Sequence, residues 1–487
     1  MLSIDEIKKY IDEDTASEKK KLAAVGQRYY EGLHDIMNYR LFYYNNDGNL
    51  VEDTTRANIK ISHPFFMILS DQLSSFMMSF TENPIQAKEK VEGLQEHLDL
   101  YFDSKFWSEI EDLITGAYNK GFDYIYGYKG AKNRMVFECA DSMGVVEVRA
   151  KDTDDNCEYL IYWYVDRILK GKKQIKRIQV WSESEVYYYV QDGDGKIEVD
   201  SSEEINPRPH VIYTDEKTGQ KLGSSLGYIP FWRLDNNKKQ ISGLKPIKGI
   251  VDDYDLHACS LSNNLVDFDT PLFAVKGFEG NDLGELQTNL KTKKMVGVGE
   301  NGDLEVRTVE IPYEARKAKL ELDKEGIFMF GMGFDPTRLG DGNITNIVIL
   351  SRYALLELKA NKLQGRLEGL LDQIVEVVLA EINEEHGTDY QLTDIEYKFT
   401  RAMMTNESEN IANEKVKAET KQLAINTILN VAVQIGDEQA LKMICEELDI
   451  DFDEIKGELE KAQEAQNLID AQNSLNNIIP EDEPVIE

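Results

Sequence analysis

The chain is short of cysteine, of basic residues and of long apolar runs. Its four cysteines, Cys139, Cys157, Cys259 and Cys445, form no CxxC pair among 487 residues. That excludes a zinc module and a disulfide framework and leaves reduced, mostly buried thiols. Lysine and arginine number 55 against 89 aspartates and glutamates, a formal charge of -34, so the basic footprint of a protein that grips nucleic acid is missing. No apolar run reaches the roughly 18 residues that cross a bilayer. Met1-Leu2-Ser3-Ile4-Asp5-Glu6 has no basic stretch leading into an apolar one, so no secretory signal is expected and synthesis in the cytosol follows. The six histidines, at 34, 63, 97, 210, 257 and 386, make no HExxH or other ligand spacing, and there is no GxxxxGK[ST] loop. No metal, cofactor or ATP hydrolysis is therefore expected.

What is present is the composition of a soluble globular chain, 41% hydrophobic and 30% charged, long enough for about two to four domains. A helical pattern runs from Ile4 to Glu31, interrupted by Ser17-Glu18-Lys19-Lys20-Lys21 and ending in Tyr29-Tyr30 before Gly32, and reads as a leading helix. From Ile61 to Phe80 the apolar positions continue nearly all round behind Pro64, the pattern of a buried helix. Helices are expected at Leu94 to Phe102 and Phe106 to Asn119. Runs rich in Tyr, Val, Ile and Trp then predict an antiparallel sheet from Phe122 to Tyr128, Met135 to Glu138, Val145 to Arg149, Tyr159 to Val165, Ile178 to Trp181 and Val186 to Val190, with Asp192-Gly193-Asp194-Gly195 as a hairpin turn.

After Pro230 the period becomes helical. Pro246 to Phe268 places Ile247, Val251, Tyr254, Ala258, Leu261, Leu265 and Phe268 on one stripe, with Asp252, Asp255, Asn263 and Asp267 away from it, so one face should pack and another meet water. A strand Leu272 to Val275, a short helix around Asp282 to Leu290, and a hairpin of Met295 to Val298 with Leu304 to Ile311 follow. The helix opened by Pro312 carries charge all round, which suits a solvent-bridging helix held by copies of itself. Gly331 to Asn346 reads as a loop, and Ile347 to Glu384 as the longest helix, striped by Leu356, Ala360, Leu363, Leu367, Leu370, Ile374 and Val377. A strand Asp394 to Phe399 and helices Ser408 to Ile435, Asp437 to Leu448 and Phe452 to Ala471 complete the ordered chain. From Asp437 to the end there are 16 acidic and 3 basic residues.

Three patterns imitate enzyme or ion motifs. Gly223-Ser224-Ser225-Leu226-Gly227 fits GxSxG, but Pro230 and a strand-like run follow where a nucleophile elbow needs a helix. Gly297-Val298-Gly299-Glu300-Asn301-Gly302 fits GxGxxG, but strand rather than helix follows, and a hairpin turn is the better account. Asp449, Asp451, Asp453 and Glu460 have calcium-loop spacing, but Glu454 stands where glycine is needed, so helix capping by Asp451 or Asp453 is expected.

Several stretches together resemble the portal, or head-to-tail connector, family of long-tailed bacteriophages. They are Tyr29-Tyr30-Glu31-Gly32-Leu33-His34-Asp35-Ile36; Asn58 to Phe66, running on through Asp71-Gln72 to Phe80; and Gly227-Tyr228-Ile229-Pro230-Phe231 through Asn236-Asn237 to Ile250-Val251-Asp252-Asp253-Tyr254-Asp255. Ser260, Asn264 and Leu272-Phe273-Ala274-Val275-Lys276-Gly277 complete the set. The match spans about Tyr29 to Phe399, and Phe231-Trp232 is a local variant.

The resemblance implies an α+β portal fold in a ring of twelve subunits at one capsid vertex, non-enzymatic, with long helices lining an axial channel. Residues 1–240 would form the wing, 246–268 and 312–332 two stem helices, 269–311 the clip, 333–346 a tunnel loop, 347–400 the long wing helix and strand, 401–479 the crown, and 480–487 a disordered tail. The implied partners are further copies of the chain, double-stranded DNA passing in packaging and ejection, a terminase motor, a head-completion adaptor, and capsid and scaffolding proteins. No membrane is implied, and the place is the virion after assembly in the host cytoplasm. A passage must touch phosphate weakly, since each neutralised phosphate adds grip, and the acidic charge fits that. Thr337, Arg338, Asn343 and Asn346 are the loop residues that would approach DNA, or else solvated loop residues. Lys317, Lys319 and Lys324 would form cationic rings in the stem or salt bridges between copies. Lys291, Lys293 and Lys294 would meet an acidic partner at the clip, or water. A phage DNA-processing enzyme or serine hydrolase and an acidic monomeric adaptor are the rival readings.

Overall fold

The computed structural model describes the chain apart from residues 46, 55, 90, 131–132, 150–156, 170–172, 194, 215–220, 269–271, 279–297, 308–311, 339–345, 402–406, 449, 451, 453–454 and 458–487. It divides into two bodies, residues 1–339 with 351–403, and residues 340–350 with 404–487. With 51% helix and 20% strand the mixed class is as expected.

The leading helix is in fact two, α1 (Ile4–Thr15) and α2 (Glu18–Tyr30). Ser17 breaks them because its hydroxyl accepts the Lys20 N–H at 3.3 Å, the work of an N-cap. Ser3 and Glu6 form a reciprocal capping box on α1. At the other end of α2, Leu33 N–H donates to Arg28 O at 2.8 Å and Gly32 takes a φ of 75°, the left-handed termination that favours glycine. Gly26 lets α2 press on a later helix, since a Cβ there would collide with the Asn119 carbonyl oxygen.

The hairpin of β1 (Phe42–Tyr44) and β2 (Leu50–Glu52) follows, then α3 (Phe65–Met77), whose Phe66, Leu69, Leu73 and Met77 are buried as the all-round apolar pattern required. β3 (Ile85–Ala87), α4 (Leu94–Tyr101) and α5 (Ser104–Lys120) lead into the strands. β4 (Phe122–Lys129), β5 (Met135–Ala140), β6 (Val145–Val148), β7 (Tyr159–Leu169), β8 (Lys173–Trp181), β9 (Glu185–Asp192), β10 (Ile197–Val199), β11 (Arg208–Pro209), β12 (Val211–Thr214), β13 (Lys221–Ser224) and β14 (Phe231–Asp235) are antiparallel throughout. Their largest sheet runs β10-β9-β8-β7-β6 with β11 beside β9, and a smaller one runs β14-β4-β5. The turn expected at Asp192 to Gly195 does join β9 to β10, with Gly193 at φ 62°.

Beyond the sheets come α6 (Lys248–Phe268), β15 (Leu272–Phe278), β16 (Val298–Arg307), α7 (Tyr313–Phe330), α8 (Asn346–His386) and β17 (Ile395–Tyr397). β17 pairs with β3, so the expected late strand closes on one the sequence pattern did not mark. The hairpin expected between Met295 to Val298 and Leu304 to Ile311 is not formed. β16 is one strand, its partner is β15, and the register slips between Lys276 and Phe278, so the glycine-rich run is taken up as an irregularity in a strand rather than a turn. The short helix expected around residues 282–290 lies outside the described residues. In the second body α9 (Glu407–Ile435) packs on α10 (Asp437–Leu448), while the expected helix from Phe452, the calcium-like spacing and the tail lie almost wholly outside the described residues.

One core joins α2 to α8. The stripe of α8 is buried at Leu356, Ala360, Leu363, Leu367, Leu370 and Ile374, then drifts so that Val378 is enclosed and Val377 is half-buried, as 3.6 residues per turn demands over so long a helix. Leu367 is wholly enclosed. Leu367→Ala should lower unfolding free energy by about 2–5 kcal/mol in denaturant titrations, and a loss under about 1 kcal/mol would mean this stripe is not the core.

Candidate functional site

The stretches that carried the resemblance meet in space. α6 runs beside the end of α2 and the segment 57–63, and its polar positions face them. Asp255 is fully enclosed. Its Oδ2 receives His34 Nδ1 at 2.6 Å, and its Oδ1 receives both the His63 N–H at 2.9 Å and His63 Nδ1 at 2.8 Å. His34 Nε2 lies 3.1 Å from the Tyr29 carbonyl, so both ring nitrogens face acceptors. Its ring stacks on Tyr29 at 4.5 Å and 12°. Burial would raise the Asp255 carboxyl, but its bonds from His34 and His63 hold it below the usual carboxylate range.

From this clasp a ladder runs along α6. The N–H groups of Ala57, Ile59, Ile61 and His63 donate to Asp267, Asn263, Cys259 and Asp255, at 3.0, 2.6, 3.2 and 2.9 Å. Every second residue of the segment meets every fourth of the helix. Two extended residues advance about 6.6 Å and four helical residues about 6.0 Å, so the registers match. Burial pushes the Cys259 thiol up, so it stays protonated and returns a bond to the Ile61 carbonyl at 3.4 Å. The polar positions expected to meet water are thus the rail for a strap, and Leu265, expected to pack, is exposed. Asp252 bonds the Tyr29 hydroxyl and receives Lys248 at 2.7 Å, and Lys248 also reaches Asp35 at 2.6 Å. Burial opposes ionisation of Asp35, yet Lys248 and Arg28 bring it down to about 2.

α7 lies antiparallel on α6. Lys319 bonds both Asp253 and Asp323, and Gly326 sits against Ile250. Lys324 reaches Asp335 at 3.2 Å and donates to the Thr337 hydroxyl at 2.5 Å. Of the three lysines singled out on this helix, Lys317 alone is exposed with no ion pair among the described residues. Lys319 and Lys324 thus have partners in their own chain.

The segment after α7 is fastened residue by residue. Lys359 donates to the Gly331 carbonyl at 3.1 Å, where the ammonium complements the end of the helix, and its Nζ lies 4.6 Å over the ring of buried Tyr118. Gln72 grips Phe334 twice, Nε2 to the carbonyl at 2.7 Å and Oε1 from the N–H at 3.0 Å. Phe334 stacks on Tyr353 at 5.2 Å. Thr337 is fully engaged, its hydroxyl donating to Asp335 at 2.8 Å. Arg338 ends a 3-10 turn from Pro336, and Asn346 opens α8 instead of lying in the loop. Asn343, Lys291, Lys293 and Lys294 lie outside the described residues.

At GxSxG, β13 enters but no helix leaves. Ser225 donates to the Glu183 carbonyl at 2.8 Å and accepts the Gly227 N–H at 3.0 Å, a local turn. His210 meanwhile faces Ser182 O and Leu226 N–H. Cys259 and Cys445 are buried, Cys139 and Cys157 half-buried, all four as free thiols. Among the described residues no group of three or more His, Cys, Asp or Glu is placed to hold a metal ion, and no helix is long and apolar enough to cross a membrane.

The stretches that carried the resemblance thus form one clasp, beside an antiparallel helix pair whose Lys319 and Lys324 are paired within the chain and a pinned loop root, the arrangement of a phage portal chain. The profile described as phage portal protein, SPP1 Gp6-like, matches residues 7–467, and the chain belongs to that family. It is similar to the portal protein of Bacillus phage SPP1, 26% identical over 410 residues that cover 83% of this chain and 78% of the relative. It is also similar to that of Clostridium phage phiCD119, 25% identical over 422 residues that cover 84% and 88%. A solved structure described as the neck of the native GTA particle computed with C12 symmetry aligns over 73% of this chain and 85% of that one, at 12% identity and a TM-score of 0.34. Phage portal proteins are virion components.

Two outcomes test the site. Asp255→Ala, which strands buried His34 and half-buried His63, should cost about 3–5 kcal/mol of stability. Because the Asp255 carboxyl titrates lower folded than unfolded, its contribution is present above about pH 4 and fades as pH falls through that range, so the gap to the variant should narrow in acid. Burial lowers Lys359 to about 7. The unfolded chain then holds more protons between pH 7 and 10, so wild-type stability relative to Lys359→Met should rise with pH across that window in thermal melts. A flat difference would remove the titration from the account.

Proposed function

We propose that the chain forms a dodecameric ring at one capsid vertex, conducts double-stranded DNA in packaging and ejection, and docks a terminase motor and then head-completion proteins, without enzymatic activity. Family membership across residues 7–467 supports the portal reading. The observation that carries the conduit is the neutralisation of α7. With Lys319 bonded to Asp253 and Asp323, and Lys324 to Asp335, a wall built from this helix offers phosphate Lys317 as the one lysine of α7 without an ion pair among the described residues. Binding to DNA weakens with salt in proportion to the phosphates neutralised, so a sparse wall lets the duplex slide. The regions follow the family order: wing in residues 1–240 and 347–400, stem in α6 and α7, clip in 269–311, tunnel loop in 333–346, crown in 401–479. Arg338, Asn343 and Asn346 are the loop candidates for DNA contact. Thr337 acts as an anchor of the loop, given its bonds to Lys324 and Asp335. Lys291, Lys293 and Lys294 are the candidates for an acidic partner at the clip. Further copies, capsid and scaffolding proteins complete the partners in the virion, with assembly in the host cytoplasm.

Negative-stain images of the purified protein should show rings with a central hole, and a chain that stays single at high concentration overturns the reading. Arg338→Ala should assemble normally and package DNA at an altered rate. Lys317→Ala should keep its stability within about 0.5 kcal/mol, as an exposed unpaired lysine does, and change DNA passage alone. Unchanged packaging in both would remove these side chains from the channel.

A further inference from the structure

The hairpin of β1 and β2 is built firmly and packs on nothing. All six of its strand residues are exposed, including Phe42, Tyr43, Tyr44, Leu50 and Val51, with Tyr44 at 73%. A lone two-stranded hairpin is marginal in water, yet this one is tied at every level. Asn45 Oδ1 caps its turn by accepting the Asp47 and Asn49 N–H groups at 3.0 and 2.9 Å, Arg40 pairs with Glu52 at 3.2 Å, and Asp53 N–H donates to Leu41 O at 2.8 Å. Its root is the strap laddered onto α6, beginning at Asp267. A rigid aromatic arm with both faces bare marks a contact surface.

The same chain carries a second bare apolar surface. On α7, beside the face that packs on α6, Ala315, Ala318, Leu322 and Met329 are exposed at steps of three, four and seven residues, Leu322 at 65% and Met329 at 64%. Both surfaces are close to electrical balance in a chain of -34. The arm 39–52 holds one basic and two acidic residues, and 313–330 holds four of each. Acidic copies can approach each other at such near-neutral faces. Both are exposed within one chain, so they do not cover each other, and two different complementary patches make a head-to-tail contact, which closes into rings.

We propose that the arm 39–52 seats on the Ala315, Ala318, Leu322 and Met329 stripe of α7 in a second copy of this chain. The inference rests on the ring reading above and assigns its contact.

The test places the photo-crosslinker p-benzoylphenylalanine at Tyr43 of the full chain, irradiates purified protein, and maps the cross-linked peptides. Covalent dimers and higher species joined within residues 313–330 are expected. Rings in micrographs with cross-links elsewhere, or only within one chain, overturn the contact and leave the ring. Particles that stay single overturn the ring and the contact with it. The double variant Tyr43→Glu, Tyr44→Glu should keep wild-type circular dichroism and need about tenfold or more protein to half-assemble, as loss of a contact hot spot implies. Unaltered assembly by that variant also overturns the contact.

Discussion

A carboxylate sealed from water must find its whole hydration shell in the protein, and Asp255 does so with groups from two other segments. His34 comes from the turn after α2, and His63 from the strap before α3, so one side chain of α6 ties the helix to both. The cost of burying the charge is offset only while every bond is present, because removing one partner leaves an unpaired charge where water cannot reach. The Tyr29 stack and the Lys248 bridge to Asp35 and Asp252 brace the same turn from its open side. Position and conformation of α6 are therefore set by its polar face, with the apolar face supplying the burial at Ile247 and Val251.

Much of this was legible. Helix spans, the sheet region, the turn at Asp192 to Gly195 and the α8 stripe follow from hydrophobic period and turn chemistry, which are local properties. The family was readable because its motifs lie in the clasp, yet the clasp was not, since Tyr29, His34, His63 and Asp255 are brought together from residues up to 226 apart. The α6 rail was misread for a physical reason. Polar residues at i, i+4, i+8 normally mark a wet face, and only a strap whose backbone N–H groups need partners turns them inward. The one available sign was Cys259, an apolar thiol in the middle of that polar series. The β15–β16 pairing was missed because glycine spacing signals a turn without saying which strands it serves. Likewise, nothing in the charge run of α7 tells which lysines find a carboxylate in their own chain.

Those lysine pairings decide how much of the positive charge of α7 is taken up inside the chain. Lys319 holds α7 to α6, and Lys324 holds the loop root, so two of its cations are spent on structure. Loss of either pair would loosen the helix pair or the segment that follows it.

The same reasoning locates where the molecule can move. The ladder gives the strap one register on α6, because sliding by one residue would present carbonyls where N–H groups are needed and break every rung. Motion of α6 against α2 and α3 would have to open Asp255 as well, so the joint behaves as a single rigid piece. Following α7 outward, Lys359 holds residue 331, Gln72 and Tyr353 hold 334, and Lys324 holds 335 and 337. Residues 331, 334, 335 and 337 are thus fastened one after another, and the hold on the chain leaving the helix pair extends as far as Thr337.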